Sequence, residues 1–220
     1  IVYNEATRQY VMYFHLDSAG FKMGMVGVCT SDTVAGSYTF VGGFQPDGQR
    51  SLDMTLFQDA DGAAYLVRSV DNEYTGISKL SDDYLSTTGI LSVGPHCEAQ
   101  AVWRDGDDYF MIGSHLTGWA ANPAILSRAA GPLQNGTTWT VLGNPFGDET
   151  SFESQPAFVL PYTHPSGRRL VIYGGDRWDD PDVGNASYVW LPLVRQVNGS
   201  GFSMPAGLSG GNGSWRVAEY

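Results

Sequence analysis

The sequence predicts an all-β fold of the propeller type, and three observations lead there. Apolar and polar residues alternate with a period of two, and no stretch carries the 3.6-residue period of an amphipathic helix. The 28 glycines and 13% aromatic residues favour short strands joined by tight turns. Hairpins recur at Ile1, Thr55, Ala101 and Ala157, an interval of roughly 50 residues, which is the length of a four-stranded propeller blade. A β-sandwich also supplies many short strands but not this internal period. The 220 residues suit one domain, 1–220, with enough length to bury a large core.

Taken in order, Ile1 to Asp17 reads as strand, polar turn, strand. Val26 to Asp32 and Tyr38 to Phe44 are two short strands around the Ala35-Gly36 turn. Met54 to Ser69 repeats the opening hairpin, with Asp59 to Gly62 as its turn. Ile77 to Leu80 and Ile90 to Val93 resemble outer strands again. The third hairpin, Pro95 to Ser114, turns at Arg104 to Asp108. Ile125 to Ala130 and Thr138 to Gly143 follow, then a fourth hairpin, Pro156 to Gly175, and Tyr188 to Val194. A Gly/Ser-rich tail ends in SWRVAEY.

Charge and composition exclude several partners. A formal net charge of -11 argues against nucleic acid or anionic membrane, because phosphate binding needs basic surface. No stretch approaches the roughly 18 uninterrupted apolar residues of a membrane helix. Asn-x-Ser/Thr triplets at Asn135, Asn185, Asn198 and Asn212 arise by chance in Gly/Ser-rich loops, yet four together point to a secreted, extracellular glycoprotein. Cys29 and Cys97 read as free buried thiols or a pair, since sequence does not establish the geometry a bridge requires. His15, His96, His115 and His164 share no metal-ligand spacing. The acidic turns DADG and DGDD lack the ligand pattern of a calcium loop. No metal and no cofactor is expected.

Aligning the hairpins on their second strands exposes a polar position just before each first strand. It is Asp53 in the second hairpin, Glu98 in the third and Gln155 in the fourth. In a propeller the innermost strands surround a common axis, so their starts converge at one end of the channel. Two carboxyl groups flanking one cavity are what glycoside hydrolysis needs. One protonates the departing oxygen, with a pKa raised to hold a proton near neutral pH. A single acidic residue at a strand start more often caps a turn or pairs with a nearby cation, here Arg50 or Arg104. Register across three hairpins is the argument for a site.

These segments resemble glycoside hydrolase family 43, whose members are five-bladed propellers. SLDMTLFQDADGAAYLV is similar to the family segment whose Asp modulates the acid's pKa, here Asp53. CEAQAVWRDGDDYFMIGS is similar to the segment carrying the general acid, here Glu98. TGWAANP, LGNPF, SFESQPAFVLP and GDRWDDPDVGNASYVWLPL resemble the exo-β-1,3-galactanase-like branch. Two positions depart from it: Leu52 stands where relatives have Arg, and Gln100 where they have Pro.

The resemblance implies a five-bladed propeller of which about four blades are present, the sequence starting just after a first-blade Glu-Arg-Pro-Lys stretch. It also implies inverting, exo-acting release of galactose from β-1,3-galactan. An oligo- or polysaccharide would be the partner, with no nucleic acid and no membrane. The alternatives are a carbohydrate-binding propeller without turnover, or a family 43 arabinofuranosidase or xylosidase. The branch has an amide where a base is expected, so the resemblance implies that Gln155 orients the attacking water or acts through its imidic acid tautomer. Glu153, placed two residues earlier on the same strand face, competes for that role.

Trp119 and Trp178 sit in Gly- and Asp-rich loops, so their rings can stack on the C–H face of a pyranose or pack between blades. With Thr117 they are the candidate substrate-binding residues. Trp103 and Trp190 alternate with apolar neighbours and are assigned to the core. His115 can line the channel or serve the structure.

Overall fold

A computed structural model describes residues 1–206 apart from 168, 181 and 198. The Asn198 and Asn212 triplets and the C-terminal SWRVAEY lie outside the described residues. Among those described, the strands form four separate four-stranded sheets, each a meander in chain order. β1 (Val2–Asn4), β2 (Gln9–Leu16), β3 (Met25–Ser31) and β4 (Thr39–Phe44) make the first sheet. β5 (Ser51–Gln58), β6 (Ala64–Val70), β7 (Tyr74–Leu80) and β8 (Thr87–Gly94) make the second. β9 (Glu98–Asp105), β10 (Asp108–Ser114), β11 (Ile125–Ala130) and β12 (Thr140–Gly143) make the third. β13 (Gln155–Thr163), β14 (Arg169–Arg177), β15 (Ser187–Arg195) and β16 (Phe202–Ser203) make the fourth. These are the blades that the repeat predicts, and the described residues add two 3-10 turns to them. No helix among the described residues is long and apolar enough to cross a membrane.

The turns follow from local chemistry. In the Asp59–Gly62 turn, Asp59 accepts from the Ala60 N–H at 2.7 Å and Asp61 from the Ala63 N–H at 2.9 Å. Those carboxylates hold a hairpin, with Gly62 at φ 85°. Cys29 and Cys97 are both buried and are not joined in a disulfide.

The chain packs as two compact units, Ile1–Glu98 with Ala130–Trp139, and Ala99–Ala129 with the residues from Thr140 onward. Alternate residues of the first two sheets build one core, with Val11 and Tyr13 of β2 meeting Leu66 of β6 and Tyr84. The second unit's core joins Trp103, Phe110 and Ile112 to Val171, Tyr173 and Leu193. Trp103 is buried as expected, stacked on Phe110 at 5.5 Å and edge-on to Phe202 at 5.3 Å.

Trp190 corrects the core assignment, being 49% exposed. Register puts it in one row with Gly174 and Phe158, on the face opposite Tyr173 and Leu193. Phe158 lies across the bare Cα of Gly174 and meets the Trp190 ring edge-on at 5.1 Å. Both faces of this sheet are apolar, and on this one Phe158, Leu160 and Trp190 are all exposed.

A charged knot closes the other end of these sheets. Arg195 reaches Asp105 and Asp108, each at 3.2 Å, while Arg169 holds Asp105 and Arg128 holds Asp108. The Arg195 guanidinium also lies 4.7 Å from the Phe110 ring centre. Burial works against ionisation of Asp108, but Arg128 and Arg195 outweigh it and keep its carboxyl below the usual range.

Candidate active site

Each of the three sequence-predicted polar residues sits where an inner strand begins irregularly. In β5 the pairing jumps from Ser51↔Val70 to Met54↔Arg68, so one extra residue bulges out and Asp53 stands immediately before the regular ladder. A bulge re-aims a side chain relative to its strand. The entry is fixed from several sides. The Ser51 N–H donates to the Gly24 carbonyl at 2.8 Å, and Arg50 bonds both Asp71 and the Phe21 carbonyl at 2.6 Å. Buried Arg68 pins the preceding turn through Asp47 at 3.0 Å and the Pro46 carbonyl at 3.1 Å.

Glu98 is the first residue of β9 and is followed by Ala99 at φ 52°, the left-handed region. Its approach is tied to β7, where the Thr75 N–H donates to the Pro95 carbonyl at 3.2 Å. The His96 ring contacts the Asn72 carbonyl at 2.7 Å. Asp53 and Glu98 are both half-buried.

Gln155 opens β13 after three consecutive left-handed residues, Ser151, Phe152 and Glu153, at φ 52°, 58° and 57°. Asp148 holds that turn by accepting from the N–H groups of Phe152 at 2.8 Å and Thr150 at 3.0 Å. The Phe152 hydrogen bond leads the causes that keep the Asp148 carboxyl low. This corrects the placement of Glu153, which lies in the turn and not on the strand. Parity along a strand therefore does not relate it to Gln155.

Gln155, Glu153, Trp119 and Trp178 nevertheless line one cavity of about 360 Å³ inside the second unit, together with Asn122 and Asp176. The Trp178 indole N–H donates to Gln155 Oε1 at 2.9 Å, which fixes the amide with its oxygen toward the indole. Trp119 and Trp178 meet edge to face at 5.4 Å and are 57% and 40% exposed. Their apolar rings thus stand at an accessible rim beside amides and carboxyls, a composition suited to a sugar.

Thr117 does not line the cavity. It accepts from Asn122 Nδ2 at 2.7 Å, and the same Asn122 takes the His115 N–H at 3.0 Å. Thr117 and Asn122 therefore shape the loop that carries Trp119, and the exposed His115 contributes its main chain to that loop.

Asn122 and Asp176 were missed by the sequence reading. The GDRWDD run contained Asp176, but only cross-strand register reveals that it lies directly opposite Gln155. Burial pushes the Asp176 carboxyl up. A second cavity, of about 430 Å³, lies at the hairpin-turn end of the first unit, lined by Glu5, Asp61, Lys79 and Asp82. Neither Asp53 nor Glu98 lines it. Among the described residues no group of three His, Cys, Asp or Glu is arranged to hold a metal ion.

Four-stranded meander blades with Asp53, Glu98 and Gln155 near the starts of three first strands fit a propeller of the glycoside hydrolase type. Solved structures agree. The chain is similar to the exo-β-1,3-galactanase of Phanerochaete chrysosporium with β-1,3-galactotriose, at 31% identity and TM-score 0.81 over 93% of this chain and 47% of that one. A family 43 β-1,3-galactosidase matches at 35% identity and TM-score 0.79 over 87% of this chain and 41% of that one. The exo-β-1,3-galactanase of Clostridium thermocellum matches at 28% identity and TM-score 0.82, over 93% and 47%. Over most of its length the chain resembles exo-β-1,3-galactanase-like members of glycoside hydrolase family 43. It spans about half the length of these relatives. No protein-family model matches it, and no curated protein does.

Proposed function

We propose that the protein is an inverting glycoside hydrolase that releases galactose from the ends of β-1,3-galactan. Glu98 acts as the general acid, Asp53 tunes and orients it, and Gln155 positions the attacking water. The observation that carries this reading is the Trp119–Trp178 cavity with Gln155 inside it. Support comes from relatives named exo-β-1,3-galactanases, one of them solved with galactose.

Glu98 would protonate the departing oxygen while a water enters from the opposite face of the sugar. Trp119 and Trp178 would receive the apolar face of the terminal galactose, and Thr117 would act by holding their loop. A fifth blade would cover apolar faces such as that of Phe158, Leu160 and Trp190. The exposed Asn135 and Asn185 fit a secreted glycoprotein.

The test is release of galactose from β-1,3-galactan, followed by NMR of the first-formed anomer. Cleavage of arabinosides or xylosides alone would overturn the substrate. Galactan binding by calorimetry without any product would instead indicate a carbohydrate-binding propeller.

A further inference from the structure

The far end of the β13–β14 ladder borders another cavity of the same unit. The ladder opens on Gln155↔Asp176 and closes on Thr163↔Arg169, and a strand of that length spans about 25 Å. The cavity encloses about 230 Å³. Buried Trp103, Leu170 and Phe202 form its apolar wall, while Asp105, Thr163 and Arg169 form a polar one. We propose that it is a second sugar-binding site, one that holds a single neutral pyranose ring and performs no chemistry on it.

The indole N–H of Trp103 points to a ligand. Trp103 is 1% exposed, and its Nε1 has no hydrogen-bond partner among the described residues. A buried N–H left unpaired is costly and uncommon. The ring's neighbours are aromatic: it stacks on Phe110 at an interplanar angle of 21° and meets Phe202 at 78°. An N–H directed at a ring face is a weak substitute for an oxygen acceptor. A hydroxyl held in the cavity would supply that oxygen.

The polar wall narrows the class of ligand. Arg169, 56% exposed, bonds Asp105 Oδ1 through Nη1 at 2.6 Å, which leaves the rest of its fork of donors open. The other Asp105 oxygen meets Arg195 at 3.2 Å. Acceptor and donors therefore stand side by side, as adjacent sugar hydroxyls require, each being both donor and acceptor. An anion would meet the Asp105 carboxylate, and a cation would meet two arginines. A hydrocarbon would leave the indole N–H unpaired. A ring with hydroxyls at its edge and C–H groups on its faces suits both walls. The volume falls below the range of about 300–1,000 Å³ usual for larger ligands, which limits the occupant to one ring.

This site asks nothing of Gln155, so it stands whether or not the protein cleaves glycans. On the glycosidase reading it would hold a second sugar of the polymer away from the reacting bond.

The experiment titrates methyl β-galactoside into isotope-labelled protein and follows the tryptophan indole N–H signals by NMR. The Trp103 signal is assigned through its contacts with Phe110 and Phe202. Its indole proton should move downfield and saturate in the millimolar range. Arg169→Met leaves Asp105 paired with Arg195. It should weaken the Trp103 response at least about tenfold and leave that of Trp178 unchanged.

A Trp103 signal that stays still in wild type would overturn the site, whatever Trp178 does. So would an Arg169→Met variant that keeps the full response, or a signal that moves with acetate or methylamine and not with the galactoside. A saturable Trp103 response in a protein that releases no galactose would support this site and overturn the glycosidase reading alone.

Discussion

Replacing Trp178 by Phe removes one hydrogen bond and leaves an aromatic ring at the cavity rim. The bond lost is the 2.9 Å contact from the indole N–H to Gln155 Oε1. Indole nitrogen can only donate, so this contact decides which end of the amide faces the rest of the cavity. Without it the amide can turn over, and a water that needs one fixed end meets the wrong one part of the time. A hydrogen bond of this kind is worth about 0.5–1.5 kcal/mol, and each 1.4 kcal/mol is tenfold, so kcat should fall about 2- to 12-fold. KM should change little, because the ring face remains.

Trp119→Phe is the matched control. It disturbs the same edge-to-face pair at 5.4 Å but touches no bond to Gln155. It should raise KM and spare kcat. Steady-state kinetics on β-1,3-galactobiose and galactotriose would separate the two variants. If Trp178→Phe moved KM and left kcat alone, the indole would be only a stacking platform and the orientation argument would be wrong.

Three further outcomes are expected. Glu98→Gln should cost at least about 10²-fold in rate on galactosides with poor leaving groups and much less on activated aryl galactosides; equal losses on both would remove Glu98 from the acid role. Arg195→Met takes one cation from Asp105 and one from Asp108, each of which keeps another arginine. The cost in urea unfolding should therefore be about 2–3 kcal/mol, below that of a stranded buried charge. Asp108 is kept below its ordinary pKa, so the part of that loss it carries is full at neutral pH and shrinks as pH falls through its folded pKa; a pH-independent loss would assign it to packing on Phe110. Cys29 and Cys97 should resist a thiol reagent in the folded protein and both react after denaturation, since both are buried and no disulfide joins them; a denatured protein with no reactive thiol would refute that.

Much of the fold was legible because its signals are local. Alternation sets which residues share a strand face, and Asp-Gly turns such as Asp59–Gly62 close hairpins with their own side chains. The interval between hairpins then groups the strands into blades. The same local logic located Asp53, Glu98 and Gln155 at three strand starts, and the exposed tryptophans in their loops. It could not tell Trp103 from Trp190. Both alternate with apolar neighbours, yet one lies in a core against Phe110 and the other on an exposed face of its sheet.

Glu153 was misplaced for a related reason. Asp148 gathers the amides of Thr150 and Phe152 and bends into a turn what parity alone extends as a strand. Asp176 was invisible as a neighbour of Gln155, because cross-strand register is decided by the whole ladder from Thr163↔Arg169 upward. Side-chain parity is a property of consecutive residues and is written in the chain. Which face is covered, and which distant residue stands opposite, are decided only when the sheets pack.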